Sequence, residues 1–224
     1  MSWEIEQDSF YNFIINNKVI GFFDELITLK SGRKSYWYVN WRTVAEDVFL
    51  LNAVSDYILL FVKHLNLKPD LFYGVPEGAT KLGIITQYKW ALKDTKIKPG
   101  MYTLSMGRGK PKEHGELKDK YFLGIPKGNV ILLEDTTTTG GSMLQTIDDL
   151  AKVNVNIIAA IGLTNRNEIR DDGFTVEEAL KNEGVQYYSM SSAIDLLPKL
   201  EPNPIVATHI ENYFKKYGQK EIKL

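Results

Sequence analysis

Val130-Ile131-Leu132-Leu133-Glu134-Asp135-Thr136-Thr137-Thr138-Thr139-Gly140-Gly141-Ser142 passes from an apolar strand through two adjacent carboxylates to four hydroxyls, two glycines and the start of a helix. Val130 to Leu133 has no polar face, as a parallel strand buried on both sides requires. Ser142, with Gln145 three residues on, reads as a capping box. A helix N-terminus presents free N–H groups and a partial positive charge, and the glycines let backbone approach an anion. Thr136, Thr137, Thr138, Thr139, Gly140, Gly141 and Ser142 therefore predict a cradle for a phosphate monoester. No Gly-Lys-Ser/Thr follows, so this is not a Walker loop, and nucleoside triphosphate hydrolysis is disfavoured. Glu134 and Asp135 would repel a phosphate at contact distance. They suit sugar hydroxyls, or positive charge developing on a sugar. Two acids closing an apolar strand are costly unless paired or used; the competing reading is a Thr-rich turn with no ligand.

The same rhythm extends in both directions. Leu71 to Val75, Met101 to Leu104, Asn156 to Leu163 and Val185 to Met190 are further short apolar runs, read as strands. Helix starts separate them: Thr175 has Glu178 three residues on, and Asn203 precedes Pro204. At the N-terminus the spacing of Phe10, Phe13 and Ile14 predicts a helix over 4–17. Residues 22–42 read as a hairpin, FFDELITL paired with SYWYVNW, and 43–66 as one long amphipathic helix. Strands alternating with helices predict an α/β fold, a central twisted parallel sheet flanked by helices, with ligands beyond the carboxyl ends of the strands. The expected organisation is a single domain over 1–224. An N-terminal helix and hairpin hood covers 1–42, the core covers 43–190 with a flexible loop at 106–119, and C-terminal helices cover 191–224.

Composition narrows the class. The chain has 224 residues, 44% apolar and 25% charged, which fits an ordered globular domain. There is no cysteine, so disulfides, thiolate metal sites and a cysteine nucleophile are excluded, and a cytoplasmic setting is expected. Net charge is −1, which offers no basic field for nucleic acid. The opening MSWEIEQDSF has three acids and no base before Lys18, unlike a signal or transit peptide. Apolar runs such as 58–62 are too short to cross a bilayer. No membrane partner is expected. His64 and His209 sit within helical patterns with no second ligand at spacing, so no protein-built metal site is expected.

Four further segments carry chemistry. Leu29-Lys30-Ser31-Gly32-Arg33-Lys34-Ser35 leads into an aromatic strand, and from Leu26 to Ala45 there are four basic residues and no acid. A solvated cationic hairpin is the plainer reading. Met106-Gly107-Arg108-Gly109-Lys110-Pro111-Lys112-Glu113-His114-Gly115 threads cations through glycines with nothing to anchor it in a core. Such a loop is mobile when empty and useful for gripping an anionic leaving group while excluding water. Gly74-Val75-Pro76-Glu77-Gly78 ends a strand and opens a helix, a second backbone nest for anions. Asn165-Arg166-Asn167-Glu168 puts a guanidinium at the sheet's carboxyl edge, suited to a bidentate pair with a carboxylate.

The 134–142 stretch resembles the phosphoribosyl-pyrophosphate (PRPP) signature of type I phosphoribosyltransferases, and the five segments in order, over about residues 20–170, resemble the orotate phosphoribosyltransferases. The resemblance implies Mg²⁺-dependent transfer of phosphoribosyl from PRPP to orotate, giving orotidine 5′-monophosphate and pyrophosphate. It implies PRPP contacts from Lys30, Glu77, Gly78, Arg108, Gly109, Lys112, His114 and the 134–142 stretch. Tyr38, Val39, Thr138 and Arg166 are implied at the orotate. Asp135, Arg108, Lys112 and His114 are the implied catalytic groups, with His114 a candidate proton donor. Mg²⁺ is expected to arrive on PRPP, and the loop is implied to close over the neighbouring subunit's site in a homodimer. Two alternatives stay open: a phosphoribosyltransferase for another nucleobase, and a non-catalytic PRPP-sensing regulator on the same fold.

Overall fold

The computed structural model describes residues 3–29 and 31–224. The chain opens with helix α1 (Trp3–Asn16) and an antiparallel hairpin, β1 (Ile20–Thr28) with β2 (Lys34–Val39). Helices α2 (Arg42–Glu46) and α3 (Val48–His64) follow, then strand β3 (Leu71–Gly74) and helix α4 (Thr80–Ala91). A small antiparallel pair, β4 (Met106–Gly107) and β5 (Phe122–Leu123), brackets the short helix α5 (Leu117–Tyr121). Strand β6 (Asn129–Thr137), helix α6 (Gly141–Ala151), strand β7 (Asn156–Asn165), helix α7 (Val176–Asn182) and strand β8 (Tyr187–Ser192) complete the alternating part. Helix α8 (Ala193–Leu196), a 3-10 turn (Leu197–Leu200) and helix α9 (Pro204–Tyr217) close the chain.

The central sheet is four-stranded, in the order β3-β6-β7-β8, and every pairing is parallel. Strand β6 lies inside it and divides two cores. Val130 and Leu132 pack with Met143 and Leu150 of α6 and Leu180 of α7. Ile131 and Leu133 face the other way, against Val54 and Ile58 of α3, Phe10 and Ile14 of α1, and Ile210 and Phe214 of α9. All four β6 residues are fully buried. Each contributes about 1.5–3 kcal/mol of transfer free energy, and an aqueous face on either side would forfeit it. Helix α1 thus belongs to the main core.

Three expectations fail locally, each for a physical reason. The helix expected over 43–66 breaks at Asp47, which is extended (φ −103°, ψ 128°) and accepts from the Leu50 N–H, capping α3. An aspartate competes with helical hydrogen bonding and is worth more as a cap than in a helix interior. Met101 to Leu104 forms no strand; Met101 is 52% and Leu104 49% exposed. The Gln87 amide holds this segment, donating to Asp70 O at 3.1 Å and Thr103 O at 3.2 Å. Its Oε1 accepts from the Phe72 N–H at 3.0 Å, so one side chain replaces a ladder. Finally, α6 starts from Gly140, not Ser142. Gly140 is left-handed (φ 72°), and a Cβ there would lie 2.6 Å from Val176 Cγ2, so only glycine makes this turn.

The capping box at Thr175 and Glu178 forms as expected, and the Asn203 side chain caps α9 through the Ile205 and Val206 N–H groups. Helix α9 lies along β2: Phe214 stacks on Trp37 (5.9 Å, 17°) and His209 on Tyr36 (4.2 Å, 15°). Among the described residues no helix is long and apolar enough to cross a membrane.

Candidate active site

Glu134 and Asp135 follow one another at the carboxyl end of β6, with their carboxyl groups within hydrogen-bonding reach of each other. Glu134 is buried, at 8% exposed. The Asp135 carboxylate lies against the β3–α4 loop, where a Cβ on Gly78 would come within 2.7 Å of Oδ2. A side chain at position 78 would displace that carboxylate, so the loop can offer only backbone there. Burial raises the Asp135 carboxyl above its ordinary value; the Thr136 N–H, which donates to Oδ1 at 2.8 Å, a hydrogen bond with the Glu134 side chain and the charge of Arg42 pull the other way. Burial thus disfavours the charged form of Asp135 more than its hydrogen bonds and Arg42 favour it.

The turn that follows is held from behind. Arg170 donates to Thr139 O while pairing with Asp172 at 2.8 Å. Thr136 Oγ1 is buried with no hydrogen-bond partner. The turn, from Glu134 to Ser142, lines a cavity of about 830 Å³ together with Glu77, Gly78, Arg108 and Gly109. Tyr38, Val39 and Arg166 also line this cavity. Lys112 and His114 do not line it, and both are exposed. Their loop is partly organised: Arg108 Nε donates to Asp119 O at 3.1 Å, and the Lys112 N–H to Lys120 O at 3.0 Å. Lys81, the nearest lysine to the β3–α4 loop, is committed to Ala45 O at 3.2 Å. Lys30 lies outside the described residues.

The part of the cavity lined by Arg166 is assembled from distant segments. Trp41 Nε1 donates to Thr164 Oγ1 at 3.1 Å, joining the hairpin's exit to β7. Arg166, 2% exposed, follows β7 and donates its N–H to Thr137 O at 2.8 Å. Its guanidinium lies 3.6 Å over the Trp37 ring, Nε donates to Glu168 Oε1 at 2.7 Å, and NH2 lies 3.5 Å from the Tyr213 hydroxyl. NH1 is buried and has no hydrogen-bond partner. The side-on edge that includes Nε is taken by Glu168; the donor left without a partner is NH1, on the end-on edge.

No model of a known protein family matches the sequence. The orotate phosphoribosyltransferase of Rhodopseudomonas palustris (strain BisB5) is 30% identical over 191 residues, covering 82% of this chain and 92% of that protein. The chain belongs to the orotate phosphoribosyltransferase family. Solved structures share the fold. An orotate phosphoribosyltransferase from Francisella tularensis superposes with a TM-score of 0.68 at 21% identity, over 94% of this chain and 99% of that one. Leishmania donovani UMP synthase gives 0.71 at 16% identity, and this chain spans 42% of its length. The chain is thus an enzyme of the pentosyl-transferring class.

Membership in the orotate phosphoribosyltransferase family gives the cavity its context but leaves several lining residues that sequence reading passed over. Trp41 and Arg42 stand at the end of the hairpin, and Gln145, Thr146 and Asp149 present one side of α6. Arg42 lay within the cationic run already noted, so charge bias was its signal. The α6 residues had none. Arg33 shows the run is more than a solvated surface: it is 7% exposed and paired with Glu168 at 2.8 Å.

Proposed function

We propose that PRPP lies along the β6–α6 turn and orotate between Tyr38 and Arg166, and that the phosphoribosyl group passes to the orotate ring nitrogen. The bond from the anomeric carbon to pyrophosphate breaks and a carbon–nitrogen bond forms, giving orotidine 5′-monophosphate. The observation that carries this reading is a single cavity lined both by the acid-and-hydroxyl turn and by Arg166, whose NH1 has no hydrogen-bond partner.

The leaving-group bond lengthens before the nitrogen arrives, so positive charge builds on ribose and negative charge on pyrophosphate. Catalysis is then positioning and electrostatic complement. Glu134 and Asp135 accept the ribose hydroxyls and face the cationic sugar. Thr136, Thr137, Thr138, Thr139, Gly140, Gly141 and Ser142 hold the ribose phosphate, with Thr138 next to the base. Glu77 and Gly78 offer main-chain N–H groups to pyrophosphate, and Lys30, Arg108, Gly109, Lys112 and His114 surround it, His114 as a proton donor. Tyr38 and Val39 pack on the ring, and Arg166 meets the orotate carboxylate. Orotate arrives as an anion, so no strong general base is required.

Two carboxylates among hydroxyls suit a ribose better than an all-protein ion cage, since Mg²⁺ demands six oxygen ligands. Among the described residues no three His, Asp or Glu side chains gather as ligands. Glu134 and Asp135 would hold Mg²⁺ only through PRPP, and bound there it would offset the leaving group's charge.

The exposed Lys112 and His114, outside their own chain's cavity, support a homodimer whose loop closes over the neighbour's site. Val48 and Phe49, 80% and 82% exposed at the start of α3, add an apolar surface for such pairing. We also place the enzyme in the cytoplasm, consistent with a cysteine-free chain. As functional parts we take 1–42 as an N-terminal helix and hairpin hood whose helix α1 also packs into the main core, 43–190 as core with the mobile loop at 106–119, and 191–224 as the C-terminal helices.

The test is spectrophotometric: protein, PRPP and Mg²⁺ with orotate, then with uracil, adenine or hypoxanthine. Orotate alone should be consumed. Consumption of another base in its place, or of none, overturns the proposal.

A further inference from the structure

Glu168 is completely buried, yet it is none of the acids that face the sugar. Its Oε2 accepts from Arg33 NH1 at 2.8 Å and its Oε1 from Arg166 Nε at 2.7 Å. Arg33 is itself fixed. Its NH2 donates to Ile169 O at 2.7 Å and to Asp171 Oδ1 at 2.8 Å, and its guanidinium lies 4.7 Å over the Tyr217 ring. Burial lowers the Arg33 pKa, but the Asp171 and Glu168 hydrogen bonds outweigh it and hold the group above its ordinary value. A buried Arg-Glu-Arg cluster is a poor way to gain stability, because apolar side chains of similar volume do as well or better. Its geometry does something apolar packing cannot.

First, it aims Arg166. With Nε held by Glu168 and its central carbon 3.6 Å over the Trp37 ring, the guanidinium has one orientation, and NH1 is the donor left over. Second, it sets charge. Two guanidiniums against one buried carboxylate leave one positive charge, since Asp171 is 95% exposed and shares its charge with water. Third, it ties the two walls of the base end together. Arg33 sits in the β1–β2 turn, and β2 carries Tyr38 into the cavity, while Arg166 follows β7.

We propose that Glu168 and Arg33 are positioning residues for base recognition, holding Arg166 so that the site selects a heterocycle bearing a carboxylate over one without it. This rests on the reading that Arg166 meets orotate. Neither residue touches the substrate; both act through Arg166.

The experiment is steady-state kinetics on Glu168→Gln and Arg33→Lys, varying orotate and PRPP separately, with uracil as the base lacking the carboxylate. Glu168→Gln should raise the orotate KM about tenfold or more, the size of a lost hydrogen bond to a charged group. The PRPP KM should stay within about twofold, and the preference for orotate over uracil in kcat/KM should shrink by about the orotate factor. Arg33→Lys should move the same quantities in the same direction by a smaller factor, because one ammonium cannot reach all three of its acceptors. Should Glu168→Gln fail to fold, Arg33→Lys, which keeps the charge, decides alone. A merely structural role predicts that both KM values rise together and the base preference holds; that result overturns the proposal, as does an unchanged orotate KM. A wild-type enzyme that ignores orotate overturns the underlying reading and this inference with it. Wild-type turnover of orotate beside indifferent variants overturns the inference alone.

Discussion

At the proposed donor end of the cavity, the acids, hydroxyls, glycines and helix start of Glu134 to Ser142 come from one unbroken stretch of chain. At the proposed base end, Arg166 takes its orientation from Trp37, Glu168 and Tyr213, and Glu168 in turn from Arg33, which is 135 residues away in sequence. The donor end is backbone geometry fixed by a buried strand and a glycine turn. The base end is side-chain geometry fixed by a polar network. Substitutions at the first should therefore change chemistry with little effect on base choice, whereas substitutions at the second should change base affinity even from residues that never touch a ligand.

The largest expected effect tests the donor end. Asp135→Asn should lower turnover by about 100- to 1000-fold, the loss seen when one preorganised electrostatic partner of a transition state is removed. It should also raise the melting temperature of the empty protein. The folded-state pKa of Asp135 is raised, chiefly by burial. The protonated form is therefore the favoured one in the fold, and the associated stability is present at low pH and lost as pH rises through the raised value. At neutral pH the asparagine removes that cost, and each kcal/mol recovered is worth about 2–4 °C in a chain of this size. The wild-type enzyme should, by the same sign, lose activity on acidification at a higher pH than an ordinary carboxylate would dictate. A calorimetric scan beside a pH–rate profile reads both, and a lower melting point with intact turnover would dissolve the contrast between the two ends.

Lys112→Ala comes next, with turnover down by about a hundredfold. The melting point should be unmoved, because Lys112 is exposed and outside the cavity. Unchanged turnover would remove the loop from the mechanism. Arg166→Lys should lower kcat/KM for orotate about 10- to 100-fold, since an ammonium cannot both hold Glu168 and present a second planar donor. The PRPP KM should not follow; if it does, the ends are not separable. Tyr213→Phe is the finest probe. Its hydroxyl accepts from Arg166 NH2 across a long 3.5 Å, so the orotate KM should rise only about two- to fivefold, worth about 0.5–1 kcal/mol.

Sequence reading succeeded where structure is local. The β6 turn declares itself because strand burial, acids, hydroxyls and glycines are adjacent, and the Thr175 box and Asn203 cap are equally short-range. It failed where a distant or competing partner decides. Nothing near Asp47 distinguishes a cap from a helical aspartate. The Met101–Leu104 run is apolar enough for a strand, but Gln87 in α4 claims its backbone. Arg33 passes for a surface cation until Glu168 is brought to it by the fold. The quoted segment Asn165 to Glu168 contained both members of the Arg166–Glu168 pair, and only the arginine was assigned a role. Its carboxylate gave no signal that it would be buried.

The most direct test of the two-ended cavity is a crystal structure of the enzyme with PRPP, Mg²⁺ and an unreactive carboxylated base. The account predicts the ribose phosphate on the N–H groups of residues 138–142, the furanose over Glu134 and Asp135, and the base carboxylate on Arg166 NH1. PRPP density away from the β6–α6 turn, or a base bound with its carboxylate turned from Arg166, would contradict it.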